Sequence, residues 1–232
     1  MPISHTISEN LARVKQRISS ACERCDRDPA EIQLVAVTKY ADLDWVKALI
    51  DLGQLHLGES RPQQLAERCE QLPKSVIWHM IGHLQRNKVR PVLETEAIIH
   101  SVDSLKLMKR IDRLAGELDI LARVFIEVNI SREEAKHGFT PENLSKLLPT
   151  LETSPHVKVL GLMGMAPYAE DPEMARPYFR ELREIQQRLN SSHADQKPFT
   201  SLSIGMSGDF EVGIEEGATH IRVGSALFEG LA

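Results

Sequence analysis

Residues 201–230 read SLSIGMSGDFEVGIEEGATHIRVGSALFEG. An apolar run at 201–204 enters a turn of small residues (Gly205, Ser207, Gly208), followed by a helical segment at 210–216. A second apolar run at 220–224 then ends on Gly224-Ser225-Ala226. Strand, helix, strand is the parallel βαβ unit, because parallel neighbours need a long crossover. The same rhythm recurs toward the N-terminus. Strand-like runs fall at 33–38, 55–58, 76–82, 97–102, 122–129 and 157–163, with amphipathic segments at 43–52, 63–71, 104–118, 141–151 and 172–189. Eight such runs are the number that closes a (β/α)8 barrel. The expectation is therefore an α/β fold: a single (β/α)8 TIM barrel over residues 1–232. Its weakest interval is the third, where only NKVRPVLE separates two strands. Ahead of the barrel, Ile7, Leu11, Val14 and Ile18 keep helical spacing. They predict an extra N-terminal helix, capped by Ser4 or Ser8 and stopped before Pro29.

Composition agrees with this reading. The 232 residues suit a lean barrel, and a chain of this size buries roughly 70% of its unfolded surface without metal or disulfide help. Lys+Arg number 28 and Asp+Glu 33, a net charge of −5. That argues against nucleic acid as a partner while leaving room for a local anion site. Cys22, Cys25 and Cys69 are an odd count, so no disulfide framework is expected. The CxxC at 22–25 falls at a helix end with no second pair, which reads as two thiols rather than a zinc or redox site. No leader-like apolar stretch opens the sequence, and no apolar run approaches the roughly 20 residues of a membrane span. A soluble cytoplasmic protein that does not use a membrane is expected. His79 and His83 are four apart, but WHMIGH reads as strand into loop, so no metal is expected there. Arg86, Lys88 and Arg90 read as a solvated face, with a protein-partner surface as the alternative.

Parallel strands of a barrel place the site at their C-terminal ends. Lys39 closes the first run, LVAVTKY. A lysine at such a rim can form a Schiff base with a carbonyl compound or with pyridoxal phosphate; the plain alternative is a strand-end lysine reaching water. The small-residue turns at 204–209 and 222–226 follow the seventh and eighth strands, where barrels often bind phosphate on free N–H groups. Together the two features face each other across the barrel and suit a ligand with an aldehyde at one end and a phosphate at the other. Pyridoxal 5′-phosphate is such a ligand, and the substrate of a phosphosugar aldolase using Lys39 is another. The residues alone leave both open.

The segments LVAVTKY, HLGES, WHMIGHLQRNK, HSVDS, EVNIS…AKHGF, GLMGMAPY and the 201–230 stretch run in order from residue 34 to 230. On these the chain resembles the pyridoxal phosphate homeostasis protein family (YggS/PROSC type). That family is a single-domain relative of the N-terminal barrel of alanine racemase, fold type III of the cofactor's enzymes. The resemblance implies Lys39 as the Schiff-base lysine. It implies Ser207, Gly224 and Ser225 around the phosphate with the Met206 backbone near, and Arg222 facing the pyridine nitrogen. Ser60, His79, Met165 and Ser203 would complete the cofactor site. The family's Gly-Glu-Asn-Tyr is here Gly58-Glu59-Ser60-Arg61, so a shorter side chain stands where relatives carry asparagine. Lys136 would lie near the pocket mouth as a second lysine.

A guanidinium does not give up its proton, so an arginine at the ring nitrogen weakens the electron sink that carbanion chemistry needs. The resemblance therefore implies a non-enzymatic role in holding and buffering the cofactor, with pyridoxal phosphate-dependent apo-enzymes or a regulatory protein as partners. The alternative is a weak amino-acid racemase. Alanine racemase draws its second base, a tyrosine, from a separate domain across a dimer, and the chain ends soon after the eighth strand. Tyr40, Tyr168 and Tyr178 lie on no such appendage, and a monomer is expected.

Overall fold

The computed structural model describes residues 3–133, 136–192 and 199–231. Its parallel strands are β1 (Gln33–Val37), β2 (His56–Glu59), β3 (Ile77–Met80), β4 (Ile98–Val102), β5 (Ala122–Val128), β6 (Val157–Gly164), β7 (Ser201–Met206) and β8 (His220–Val223). They pair in chain order and close into a barrel. The closing seam runs from Gln33↔His220 through Leu34↔Ile221 and Val35↔Arg222 to Ala36↔Val223. The helices are α1 (Ile3–Arg24), α2 (Leu43–Asp51), α3 (Pro62–Gln71), α4 (Val89–Leu93), α5 (Leu105–Glu117), α6 (Leu148–Glu152), α7 (Arg176–Ser192) and α8 (Phe210–Glu215).

Side chains alternate across each strand. One set, including Leu34, Ala36, Leu57, Trp78, Ile221 and Val223, joins the buried layer under the helices. The other set turns into the barrel, where Ile98, Phe125 and Met163 form a separate small cluster. α5 shows how a helix is specified. Ser104 Oγ accepts from Leu107 N–H at 3.4 Å to cap it, and Leu107, Met108, Ile111, Leu114 and Ala115 make its buried stripe.

The N-terminal helix completes the outer ring. α1 packs against both α2 and α8, filling the position a helix after β8 would take. Asn10 Nδ2 ties it to the C-terminal segment by donating to Leu227 O at 3.1 Å and Glu229 O at 2.9 Å. Because α1 already begins at Ile3, Ser4 and Ser8 lie inside it and neither is its cap. The thin third crossover is a 3₁₀ turn at Arg86–Lys88 and the five-residue α4, with Val89, Val92 and Leu93 buried. Pro91 falls in the first turn of α4, where a missing N–H costs nothing. The segments expected as single helices at 141–151 and 172–189 each begin as a 3₁₀ turn, Pro141–Lys146 and Pro172–Ala175. A proline opens each turn.

Among the described residues no helix is long and apolar enough to cross a membrane. In β6, Gly161 leaves no room for a side chain against β7: an added Cβ would stand 1.7 Å from Ser201 O. Gly161→Ala should therefore cost about 1–3 kcal/mol or more, as overpacking does. Gly208→Ala meets open space and should leave stability nearly unchanged. Denaturant unfolding of the two variants compares them, and equal stabilities would contradict this packing.

Candidate functional site

Lys39 sits half-buried two residues beyond β1, its Nζ 4.9 Å from the centre of the Tyr40 ring. The backbone on either side is clamped from α3. Arg68 Nη1 donates to Thr38 O at 2.9 Å and to Glu59 Oε1 at 2.5 Å, while Nη2 donates to Ala41 O at 2.5 Å. Thr38 Oγ1 donates to the same Glu59 oxygen at 2.5 Å. Glu59 is fully buried, and that burial pushes its carboxyl up against the opposing pull of Thr38 and Arg68. Lys39 thus hangs from a turn whose two flanking carbonyls are fixed by one guanidinium. Sequence reading missed this clamp, because a buried carboxylate announces a partner without saying which arginine reaches it.

The turns after β7 and β8 converge on one oxygen. Ser207 Oγ accepts from Gly224 N–H at 3.1 Å and from Ala226 N–H at 3.5 Å. A phosphate oxygen is a stronger acceptor for such paired donors, so the cradle fits the phosphate end of the expected ligand. Ser225 is exposed beside it. Gly205 has φ +91°, and a Cβ there would lie 2.8 Å from Phe210 Cα, so only glycine suits the tight entry to α8. The Met206 N–H is spent on Asp209 Oδ1 at 2.6 Å, which leaves Ser207 and Gly224 at the centre of the cradle.

The cradle does not face Lys39 across the barrel. β8 is bonded to β1, and a Cβ on Gly224 would be 3.3 Å from Val37 Cβ. Lys39 and the cradle are side by side, as first and last strands of a closed sheet must be.

Arg222, in β8 two residues before Gly224, is 5% exposed. Its Nη1 donates to Ser203 O at 2.7 Å and Ser203 Oγ at 2.5 Å, and Nη2 donates to Gly164 O at 3.1 Å. Three of five N–H groups are thus engaged, leaving Nε–H and one Nη2–H for a ligand. Burial pushes its pKa down to about 10, against the pull of Asp209 and Glu127, so it remains a cation at neutral pH.

Below Arg222 runs a line of ring nitrogens. Ser203 Oγ is 2.9 Å from His100 Nδ1; His100 Nε2 is 2.8 Å from His79 Nδ1; and His79 Nε2 is 3.0 Å from His56 Nδ1. His220 packs edge-on against Phe125 beside them, ring centres 5.0 Å apart. Burial pushes all four histidines below their usual range, His220 to about 4. A neutral imidazole donates at one nitrogen and accepts at the other, so the line conducts one direction of hydrogen bonding at a time. His79, expected in the pocket wall, has both nitrogens engaged and lies in the barrel interior beneath the mouth.

Met165 is half-buried against the Ile98–Phe125–Met163 cluster, and Ser60 is half-buried under Gly82. Glu127, buried at the end of β5, is pushed up to about 7 by burial and by Asp103, with Arg222 opposing. A lone acid inside the run FIEV was its only sequence signal.

Other candidates lie apart. Cys22 is in the last turn of α1 and Cys25 just past its end, and burial pushes both thiols up, which suits inert packing. Lys136 is at the rim, paired with Glu133 at 2.5 Å; residues 134–135 of its motif lie outside the described residues. Of the basic cluster, Arg90 pairs with Glu117.

Residues 7–231 match the family model of the alanine racemase N-terminal domain. The chain belongs to this family. Within it, the chain is 42% identical over 221 residues to the pyridoxal phosphate homeostasis protein of Aquifex aeolicus, covering 95% of this chain and 96% of that one. It is 34% identical to the namesake of Escherichia coli K12, covering 96% and 95%. These relatives place it among the pyridoxal phosphate homeostasis proteins. PipY of Synechococcus elongatus, solved with pyridoxal phosphate bound, superposes with a TM-score of 0.82 at 34% identity, covering 96% of this chain and 99% of PipY. Alanine racemase of Bartonella henselae (TM-score 0.75, 15% identity) shares the fold, and the chain spans 58% of it.

The buried histidines give this family member a pH signature. Below about pH 6.5 the unfolded chain takes up protons that the folded barrel refuses. Each such histidine therefore removes about 1.4 kcal/mol of stability per pH unit. The loss runs from pH 6.5 down toward 4, where His220 itself protonates in the folded state. Glu127, raised in the fold, works in the opposite sense. Melting temperature should fall between pH 6.5 and 4.5, more steeply in Glu127→Gln. A flat profile would contradict the neutral line.

Proposed function

We propose that this protein binds pyridoxal 5′-phosphate at the mouth of the barrel and serves its homeostasis as a carrier or regulator, without robust catalysis. One observation carries the reading. The β1–β8 seam makes neighbours of the strand ends that lead to Lys39 and to a cradle of convergent N–H groups, and Arg222 on the same β8 keeps two N–H groups beyond those it donates to Ser203 and Gly164. When bound, the cofactor supplies an aldehyde that an amine can hold covalently. Lys39 is the amine in reach. Ser207, Gly224 and Ser225 hold the phosphate, and Ser60 and Met165 flank the site. Arg222 donates to the ring nitrogen and supplies no proton to it, which restrains carbanion chemistry. Ser203 reaches the ring through Arg222.

The PipY relative, solved with this ligand at 34% identity over nearly the whole chain, supports the reading. The names of the relatives support homeostasis over turnover. Recipients of the cofactor, an apo-enzyme or a regulatory protein, would approach the open mouth, with the protein acting as a cytoplasmic monomer. The aldolase reading requires a protein that stays colourless.

Protein incubated with pyridoxal phosphate should turn yellow, and borohydride followed by peptide mass analysis should locate the adduct on Lys39. An adduct elsewhere refutes the assignment. Lys39→Ala should lose the covalent link and retain weaker, reversible binding. The Ser207→Ala/Ser225→Ala double variant should lose about 1.5–3 kcal/mol of affinity per hydrogen bond to the charged phosphate, read by equilibrium titration. Racemisation of an L-amino acid at about 1–1000 per second would establish an enzyme instead.

A further inference from the structure

Three ligand-bearing side chains that the cofactor site does not use meet on the opposite arc of the rim. His83 follows β3, Asp103 immediately follows β4 and His137 follows β5. Their coordinating atoms all lie within 4.8 Å of one another. Asp103 Oδ2 is 3.0 Å from His83 Nδ1 and 4.0 Å from His137 Nδ1. The imidazoles stack at 3.8 Å with 14° between their planes, so both present a nitrogen to the same carboxylate oxygen. We propose that His83, Asp103 and His137 bind a divalent transition-metal ion of the zinc class, a site separate from the cofactor's.

The donor chemistry selects this class. Two imidazoles and one carboxylate suit zinc and its neighbours, whereas calcium and magnesium want oxygen sets. With metal–ligand bonds of about 2.0–2.2 Å, donor atoms around one ion sit roughly 3–3.5 Å apart. The His83–Asp103 spacing already meets this; the exposed His137 ring would have to approach and turn out of its stack on His83, because parallel imidazoles hold their in-plane lone pairs side by side rather than aimed at one point. Asp103 is oriented from behind, its Oδ1 accepting from Ser104 Oγ at 2.9 Å, the kind of support that fixes metal carboxylates.

The backbones are pinned as well. Before His83, Gly82 O accepts from Ser101 Oγ at 2.6 Å. After His137, Phe139 N–H donates to Glu127 O at 2.8 Å and Phe139 O accepts from Asn129 N–H at 2.9 Å, a parallel bridge to Val128. The site opens on a cleft of about 850 Å³ also lined by Arg86, Lys106 and Lys136. Lys136 is neutralised by Glu133. Arg86 and Lys106 would draw an anion or polarised water to the open coordination positions. The pairing of a closed three-ligand face with open positions is that of a reactive rather than a structural metal.

The test is a Zn²⁺ titration of chelator-treated, cofactor-loaded protein, followed by calorimetry and by competition with a chromogenic chelator, with free cofactor titrated as a control. One equivalent is expected. His83→Ala and His137→Ala should each weaken it about 100-fold, and Ser104→Ala about 10-fold, within the range of second-shell effects. The combined Cys22→Ser/Cys25→Ser/Cys69→Ser variant and His5→Ala should bind as the parent does. His83 and His137 are exposed, so their variants should fold, which retained cofactor absorbance verifies. Absence of stoichiometric binding, binding unaltered by the histidine changes, or loss that follows the cysteines overturns the proposal. These outcomes are independent of where the cofactor binds.

Discussion

The hydrogen-bonded seam between β1 and β8 is the constraint on which the rest depends. Four residue pairs, from Gln33↔His220 to Ala36↔Val223, fix the register in which the chain's beginning meets its end. A slip of one residue would turn Arg222 out of the barrel and Val223 in, since faces alternate along a strand. Everything at the mouth follows from that register: Gly224 against Val37, the Ser207 cradle beside it, and Lys39 two residues past the same strand end. α1 braces the seam from outside by bridging α2 and α8, which gives a helix outside the βα rhythm a structural purpose.

The barrel interior is unusually polar for a packed core. His56, His79, His100, Ser203, His220 and Arg222 share space that barrels commonly fill with branched apolar residues. Burying polar groups is costly unless each is paired, and among the described residues no buried side-chain nitrogen or oxygen lacks a partner. The line of imidazoles supports Ser203, which in turn holds Arg222 through its hydroxyl and carbonyl. The same logic operates on the other side of Lys39, where Glu59 and Thr38 steady Arg68 so that it can hold the Thr38 and Ala41 carbonyls. In both cases a buried charge is kept to position something at the rim.

Much of this was legible in the sequence. Eight apolar runs with helical spacing between them specify the barrel, because period two and period 3.6 are local properties. The strand-end positions of Lys39, Ser207 and Gly224 are equally local once the strands are placed. What the sequence concealed depends on register and closure. The lysine and the cradle read as opposite because they are far apart in the chain, whereas closure makes them neighbours. His79 read as a pocket residue, and its engagement by His56 and His100 appears only when three strands are aligned. Spacing pairs His83 with His79, while its actual companions, Asp103 and His137, come from two other strand ends. The segments that read as helical from 141 and from 172 open as 3₁₀ turns, and their α-helices begin only at Leu148 and Arg176.

The most direct test of the arrangement at the seam is a crystal structure of the protein grown with pyridoxal phosphate. The expected result is continuous density from Lys39 Nζ to the ligand, its phosphate enclosed by Ser207, Gly224 and Ser225 and its ring nitrogen within hydrogen-bond distance of Arg222. Density for the phosphate in the Arg86–Lys106 cleft, or a covalent link to Lys136, would contradict it.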